Sequence, residues 1–401
     1  MKRISFHTAG ESHGRGLTAL LEGMPAGLSL QMERDVDPEL KRRQGGYGRG
    51  RRMQIESDQA DLLSGVRLGE TLGSPISMII WNRDWENWTT SMAHLPPDPD
   101  ANPKALRPHY LPRPGHADLV GAFKYDRRDV RDIRERASAR ETAARVACGA
   151  VAKRLLSEFG ILVGSHVVSI GDVEGGVSEL PDDVNAVADS NPVRCLDEAA
   201  SQEMMAGIDA AKENGDTLGG IFEVVATGVP VGLGSYVSWD ARLDGRLAGA
   251  VMSVQAVKGV EVGIGFEGAR RSGSAVHDAI VRAEEKPLSG GIGRASNRAG
   301  GLEGGITTGE PLVVRGAMKP ISTLRKRLPS VDLRDGSEGD AAVERSDVCA
   351  VPAAGVVAEA MVALVLADAF LDKFGGDALS EVRRNFDGYV SYLSERGFGE
   401  R

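Results

Sequence analysis

The chain has 401 residues, enough for one large domain or two medium ones, with 41% apolar and 26% charged residues, the balance of a soluble globular protein. A net charge of −9 argues against general affinity for nucleic acid or anionic membrane. Glycine is abundant at 51 residues and aromatics scarce at 5%, which points to tight turns and close backbone approaches rather than a large aromatic core. Cys148, Cys195 and Cys349 are an odd number, far apart and without a C-x-x-C pair, so neither a structural zinc nor a disulfide framework is expected. M-K-R-I-S-F-H-T-A-G at the start lacks the apolar stretch of a signal peptide, and a cytoplasmic location is expected.

In chain order, residues 3–8 alternate as a short strand, followed by the turn Gly10-Glu11-Ser12-His13-Gly14. Leu17 to Leu30 reads as a strand, a turn at Met24 to Gly27 and a second strand, a hairpin. Asp37-Pro38 opens a short helix. It runs into Lys41–Arg52, a glycine-rich basic run with six basic residues in twelve. Leu72 to Trp81 is predicted as a buried strand, and 85–112 as an exposed excursion.

Ser138 and Glu141, spaced as a capping box, open a helix that continues to Phe159 and stops at Gly160. Its inward residues Ala143, Val146, Ala147 and Ala150 are small, so a neighbour packs closely. A strand follows to Ile170, then a second excursion over 171–200 and a helix over 198–214. Strands are predicted at 221–229, 260–264 and 311–317, with a helix at 240–255. The apolar run 351–371 is broken by Pro352, Glu359 and Asp368 and reads as a buried helix ending at Phe374-Gly375. The matched Phe-Gly stops suggest an internal duplication. With no Pro/Ser-rich linker, residues 1–401 read as a single α+β domain.

Several motifs carry chemistry. The entrance at Ser138, flanked by Arg136 and Arg140, is an anion site by its uncapped N–H groups, and His116 sits in a Pro/Gly turn upstream. Gly10–Gly14 matches the G-x-S-x-G elbow of serine hydrolases, but too little chain precedes Ser12 to supply that fold's oxyanion loop. His13 there is instead an acid or base beside freed backbone. Gly263–Gly268 matches a dinucleotide fingerprint, but A-R-R-S-G-S follows where an apolar helix belongs. The basic run resembles an RNA-binding box and equally suits a lid over an anionic small molecule. Lys319 to Thr323 offers a cation and hydroxyls to a phosphate, and Asp347 is a cap or a proton acceptor.

Taken together, these stretches resemble the chorismate synthase family. They are G-E-S-H-G, R-R-Q-G-G-Y-G-R-G, R-P-G-H-A-D, R-A-S-A-R-E-T-A-A-R-V-A, N-R-A-G-G-L-E-G-G, M-K-P-I-S-T and R-S-D-V-C-A-V-P-A-A-G-V-V, in order from Thr8 to Gly376. The resemblance implies a β-α-β sandwich, a homotetramer, and a 1,4-anti elimination of phosphate from 5-enolpyruvylshikimate 3-phosphate, dependent on reduced FMN. By position, His13 matches the proton donor to the leaving phosphate and His116 the histidine beside the flavin. Asp347 matches the carboxylate linked with loss of the C6 proton, and Ser12 and Ser138 match assisting serines. Arg49, Arg113, Arg140 and Arg345 fall at substrate-binding positions. Arg136, Ala137, Ser138, Gln255, Ala256, Gly304, Lys319, Pro320, Ile321, Ser322, Thr323 and Arg345 fall at FMN positions, and Arg43 and Arg49 at NADPH positions. NADPH or an external flavin reductase would supply the reducing power. No nucleic-acid, membrane or metal partner is implied.

Overall fold

Alternating burial builds the first layer. In β1 (Ser5–Ala9), β2 (Gly16–Glu22), β3 (Asp61–Ser64) and β4 (Ile76–Trp81), every second side chain of the two central strands turns inward. Leu17, Ala19 and Leu21 on β2 and Ile76, Met78 and Ile80 on β4 form that inner face. The strands pair antiparallel in the order β1-β2-β4-β3. The structure, a computed structural model, describes residues 3–50, 57–177, 179–283, 286–341 and 347–396. Arg345 and the last two residues of the basic run lie outside them.

The hairpin expected over Leu17–Leu30 does not form. The free edge of β2 is taken by β4, and beyond Gly23 the chain makes only isolated bridges, Ala26 with Ala378 and Ser29 with Glu70. Leu28 and Leu30 are still buried, held by the Leu28 N–H donating to Thr71 Oγ1.

Helix α1 (Asp37–Gln44) carries Pro38 in its first turn, as the sequence indicates, but Asp37 does not cap it; its Oδ1 accepts from the Ala60 N–H at 3.0 Å instead. Two short helices, α2 (Asp118–Lys124) and α3 (Arg131–Ala137), precede the long α4 (Thr142–Ser157). A second antiparallel sheet contains β5 (Leu162–Ile170), β6 (Val173–Glu174), β7 (Gly220–Thr227), β8 (Val257–Val262) and β9 (Leu312–Met318), in the order β8-β9-β7-β5-β6. Between its strands come α5 (Val184–Ala188), α6 (Glu198–Glu213) and α7 (Leu243–Met252). The chain closes with α8 (Val351–Phe374) and α9 (Leu379–Arg396).

Helices α4 and α8 lie against each other between the two sheets, α4 on the first and α8 on the second. This is the expected β-α-β sandwich. Small residues set the contact: a Cβ on Gly149 of α4 would lie 2.3 Å from the Ala360 Cβ of α8. By length and composition α8 would span a membrane, but 94% of its most apolar window is buried in the fold, as a core helix is. Each half of the chain lays down an antiparallel sheet and then a long central helix. Each helix is followed by a glycine at positive φ, Gly160 at 74° and Gly375 at 60°.

The segment 171–200 is not exposed throughout. Helix α5 packs on β5, where Gly164 leaves room for it, and Val184, Ala188, Val193 and Cys195 are buried. The segment 85–112 holds only a 3-10 turn at Trp85–Asn87 and is largely exposed. All three cysteines are free and buried.

Candidate active site

The turn between β1 and β2 carries the first histidine. Gly10 sits at φ 105°, where a Cβ would lie 2.4 Å from the Gly16 carbonyl oxygen, so only glycine admits this tight return. The turn is clamped from α3. The Ser12 N–H donates to the Glu135 carbonyl at 3.0 Å and the His13 N–H to Glu135 Oε2 at 2.9 Å. His13 Nδ1 is also 2.9 Å from Glu135 Oε2. Arg136 donates to the carbonyls of Thr8 and Gly10 at 2.8 and 3.3 Å. Ser12 Oγ meets Ser138 Oγ at 3.3 Å. A hydrolase elbow needs a strand entering a helix; here strand returns to strand, and Ser12 is partnered by a serine rather than a base.

The capping box expected at Ser138 is not made. Ser138 Oγ accepts from the Arg140 N–H at 3.3 Å, and residues 139–141 form a 3-10 turn before α4. Glu141 turns away from Ser138 to accept from Thr8 Oγ1 at 2.6 Å, from Arg145 and from Gln255 Nε2 at 3.1 Å. Two distant donors, Thr8 and Gln255, and the i+4 neighbour Arg145 outcompete the return bond to Ser138.

Arg140 does not face an open anion site. It donates to Asp58 at 2.6 Å and to Asn82 Oδ1 at 2.9 Å, and Arg43 holds the same Asp58 at 2.7 Å. Both arginines are buried, Arg140 with 7% and Arg43 with 4% of its surface exposed. Burial opposes the charge on Asp58, but the two guanidiniums hold its carboxyl below the usual range. Asn82 carries this cluster on to the histidine turn, donating to the Gly14 carbonyl at 2.6 Å.

The second histidine rests on a buried carboxylate. His116 Nδ1 lies 2.5 Å from Asp118 Oδ1, and Asp118 Oδ2 accepts from Arg113 Nε and Arg134 Nη2, both at 3.1 Å. Asp118 is fully buried, which opposes its charge, yet His116 and Arg113 hold its carboxyl well below the usual range. Arg113 also donates to Thr323 Oγ1 at 2.9 Å, and Lys319 Nζ to the Gly115 carbonyl at 2.9 Å. The loops 113–118 and 319–323 are thereby brought together, with Thr217 Oγ1 donating to the Ile321 carbonyl at 2.8 Å behind them.

Gln255 and Ala256 join this side, the Ala256 carbonyl accepting from the Lys319 N–H at 2.9 Å. Ala256 is left-handed at φ 67°, an uncommon conformation for a residue with a Cβ. Gln255 Oε1 is buried and has no hydrogen-bond partner among the described residues. At Gly304 a Cβ would meet nothing within 4 Å.

The basic run reaches the third group. Arg49 Nη1 is 2.6 Å from Asp347 Oδ2, and the Gly50 N–H donates to Asp347 Oδ1 at 2.6 Å. Within the described part of the run, Arg42 bonds Glu359 and Asp189, Arg43 bonds Asp58, and Arg49 bonds Asp347. Guanidiniums committed to carboxylates do not present the open basic face that RNA requires. The Gly263–Gly268 stretch is a turn with one short helical segment, Gly265–Gly268, and no long helix follows it.

The structure thus brings Ser12, His13, Arg136 and Ser138 into one group, and Arg113, His116, Gln255, Ala256 and 319–323 into a second. Helix α3 joins them, Arg134 reaching Asp118 and Glu135 reaching His13. Asp118, Glu135, Asn82, Asp58 and Trp88, whose ring lies 3.9 Å from that of His13, are site residues that sequence reasoning missed. Asp118 had a signal, standing two places after His116 in R-P-G-H-A-D. The others meet the site only through long-range contacts.

On a β-α-β sandwich, two imidazoles seated on buried carboxylates, with hydroxyls, a further carboxylate and guanidiniums around them, define an enzyme that moves protons on a small anionic molecule. The chain belongs to the chorismate synthase family: the family model described as Chorismate synthase matches residues 4–371. It is therefore a lyase. A chorismate synthase from Pelobacter propionicus is 58% identical over 397 residues, covering 97% of this chain and 99% of that one. Those from Bacillus subtilis and Aquifex aeolicus are 56% and 54% identical, covering 96% and 98% of this chain and 98% and 99% of theirs. A crystal structure of chorismate synthase superposes with a TM-score of 0.76 at 47% identity, covering 98% of each chain.

Proposed function

We propose that the chain lyses 5-enolpyruvylshikimate 3-phosphate to chorismate and phosphate, and does so between the two histidine groups joined by α3. The observation that carries this reading is the pairing of His13 with Glu135 and of His116 with Asp118, two proton-transfer groups linked through α3, which supplies Glu135 to the first and Arg134 to the carboxylate of the second. Phosphate leaves C3 and a proton leaves C6. His13 donates a proton to the departing phosphate, Ser12 and Ser138 extend that network, and Asp347 takes up the C6 proton. Arg49 reads the substrate's anionic groups. Arg113 and Arg140, tied to Asp118 and Asp58, act as struts that fix the two histidine loops.

The residues present fit a flavin mononucleotide. The buried Gln255 Oε1, without a hydrogen-bond partner among the described residues, asks for a donor, as a flavin ring offers, and a Cβ at Gly304 would meet nothing within 4 Å. Lys319 and the hydroxyls of Ser322 and Thr323 suit an anionic tail. Arg136 to Ser138, Gln255, Ala256, Gly304, Lys319 to Thr323 and Arg345 would hold the cofactor, with His116 beside its ring. Held there in reduced form, such a group would supply electron density to the allylic system, so that the C–O bond could break without net redox change. The buried Arg43 favours an external flavin reductase over NADPH bound at that residue. A cytoplasmic enzyme of aromatic amino-acid biosynthesis is the corresponding role. Exposed Phe123 and Trp239, at 73% and 85%, support a homotetramer that covers them.

The test is anaerobic incubation with dithionite-reduced FMN and the substrate. Chorismate and inorganic phosphate in equal amounts are expected; folded protein that forms neither would overturn the reading.

A further inference from the structure

Glu135 makes three contacts to two consecutive residues, Ser12 N–H, His13 N–H and His13 Nδ1. One residue thus sets both the path of the loop and the plane of the ring. It is buried on α3, where burial opposes its charge, but the bonds from His13 and the nearby Arg131 hold its carboxyl below the usual range. Because the carboxylate accepts from Nδ1, that nitrogen carries a proton, and proton exchange with a ligand falls to Nε2.

The ring has a second constraint. Trp88 stacks on His13 with centroids 3.9 Å apart and planes inclined by 32°. The indole is itself fixed, its Nε1 donating to Asp84 at 2.8 Å and the Arg131 guanidinium lying 5.5 Å from its ring. Rotating the imidazole about its side chain would break the carboxylate bond and lose the stacked face together. Among the described residues, the charged groups seen to contact the pair include Glu135 and Arg131 from α3 and Asp84 from the segment carrying Trp88.

We propose that Glu135 and Trp88 are positioning residues for the family reaction, a clamp that holds the His13 ring with Nε2 presented for proton transfer. This rests on the proposed function. It differs from a purely structural role, in which Glu135 only anchors the loop, because a positioning residue acts through His13 and has no effect once that ring is gone.

The experiment compares Glu135→Gln, Trp88→Leu, His13→Ala and the double variant Glu135→Gln/His13→Ala with the natural protein, each first checked for folding by thermal melting. Glu135→Gln keeps the shape and removes the charge. Its kcat is expected to fall about 10- to 100-fold, the scale of a lost orienting partner, with KM changed less than about twofold. In the His13→Ala background the same change is expected to add no further loss. Trp88→Leu, in a partly exposed segment, should lower kcat by several-fold and keeps the test open if Glu135→Gln does not fold. A rate unaffected in both single variants, or an equal loss from Glu135→Gln with and without His13, would overturn the proposal. A second readout is independent of turnover. In protein labelled with nitrogen-15 at histidine, a downfield Nδ1–H resonance is expected that vanishes in both Glu135→Gln and His13→Ala. Its absence from the natural protein would remove the clamp. Natural protein that makes no chorismate yet shows this resonance would sink the proposed reaction and leave the contact standing.

Discussion

Arg49 Nη1 and Asp347 Oδ2 are 2.6 Å apart, so the basic run rests on the carboxylate assigned to proton removal. A substrate anion entering here competes with Asp347 for the guanidinium. Arg49→Ala is expected to raise the substrate KM about tenfold or more while lowering kcat less, because the arginine reads charge before chemistry. Steady-state kinetics check this. An unchanged KM would mean that Arg49 serves only to neutralise Asp347.

The centre of the sandwich depends on one missing methyl group. A Cβ on Gly149 would meet the Ala360 Cβ at 2.3 Å and its carbonyl oxygen at 2.8 Å, which forces α4 and α8 apart. Gly149→Ala is therefore expected to destabilise the fold by about 1–3 kcal/mol, despite the better helix propensity of alanine. Urea unfolding measures it. A neutral or stabilising change would show that the helices are not in that contact.

Glu359 on α8 is fully buried and is held by Arg42, Lys153 and Arg194, with Ser165 Oγ donating at 2.6 Å. Removing one member leaves uncompensated charge in the core, so Glu359→Ala is expected to cost about 3–5 kcal/mol. Thermal or urea unfolding of that variant checks the figure.

The same residue sets a direction with pH. Burial opposes its charge, but Lys153, Arg42 and Arg194 outweigh burial and hold its carboxyl well below its ordinary value of 4.5. Asp118 is likewise held below its ordinary 3.8. A carboxyl depressed on folding contributes stability that is complete above the unfolded value and is lost as pH falls through the folded one. The unfolding midpoint is thus expected to be insensitive to these groups at neutral pH and to fall steeply below about pH 4.5. In Glu359→Gln that acid slope should be shallower. An identical slope in the variant would remove Glu359 as its source.

Periodicity made most of the fold legible. The inward residues of β2, Pro38 in the first turn of α1 and the glycines after α4 and α8 follow from local rules that sequence displays directly. The hairpin at Leu17–Leu30 failed because strand pairing is a competition between distant segments, and Ile76–Trp81 offered the better edge. The capping box at Ser138 failed for a similar reason, since Thr8 and Gln255 bring donors to Glu141 that no local window contains. The order of motifs made the histidines, serines and the 319–323 loop legible. The partners that hold them were not, because Glu135 lies 122 positions from His13 and Asp58 lies 82 from Arg140. Even the arginines showed their charge in the sequence but not their direction, and Arg43 and Arg140 turn inward.

The central claim is that the family reaction runs on these histidines. It is tested most directly by the turnover of His116→Ala, assayed anaerobically with reduced FMN and 5-enolpyruvylshikimate 3-phosphate supplied. Loss of an acid–base group of this kind is expected to slow chorismate formation by about 10²- to 10⁴-fold relative to the natural protein. A folded variant that turns over within about twofold of the natural rate would contradict the assignment of the site.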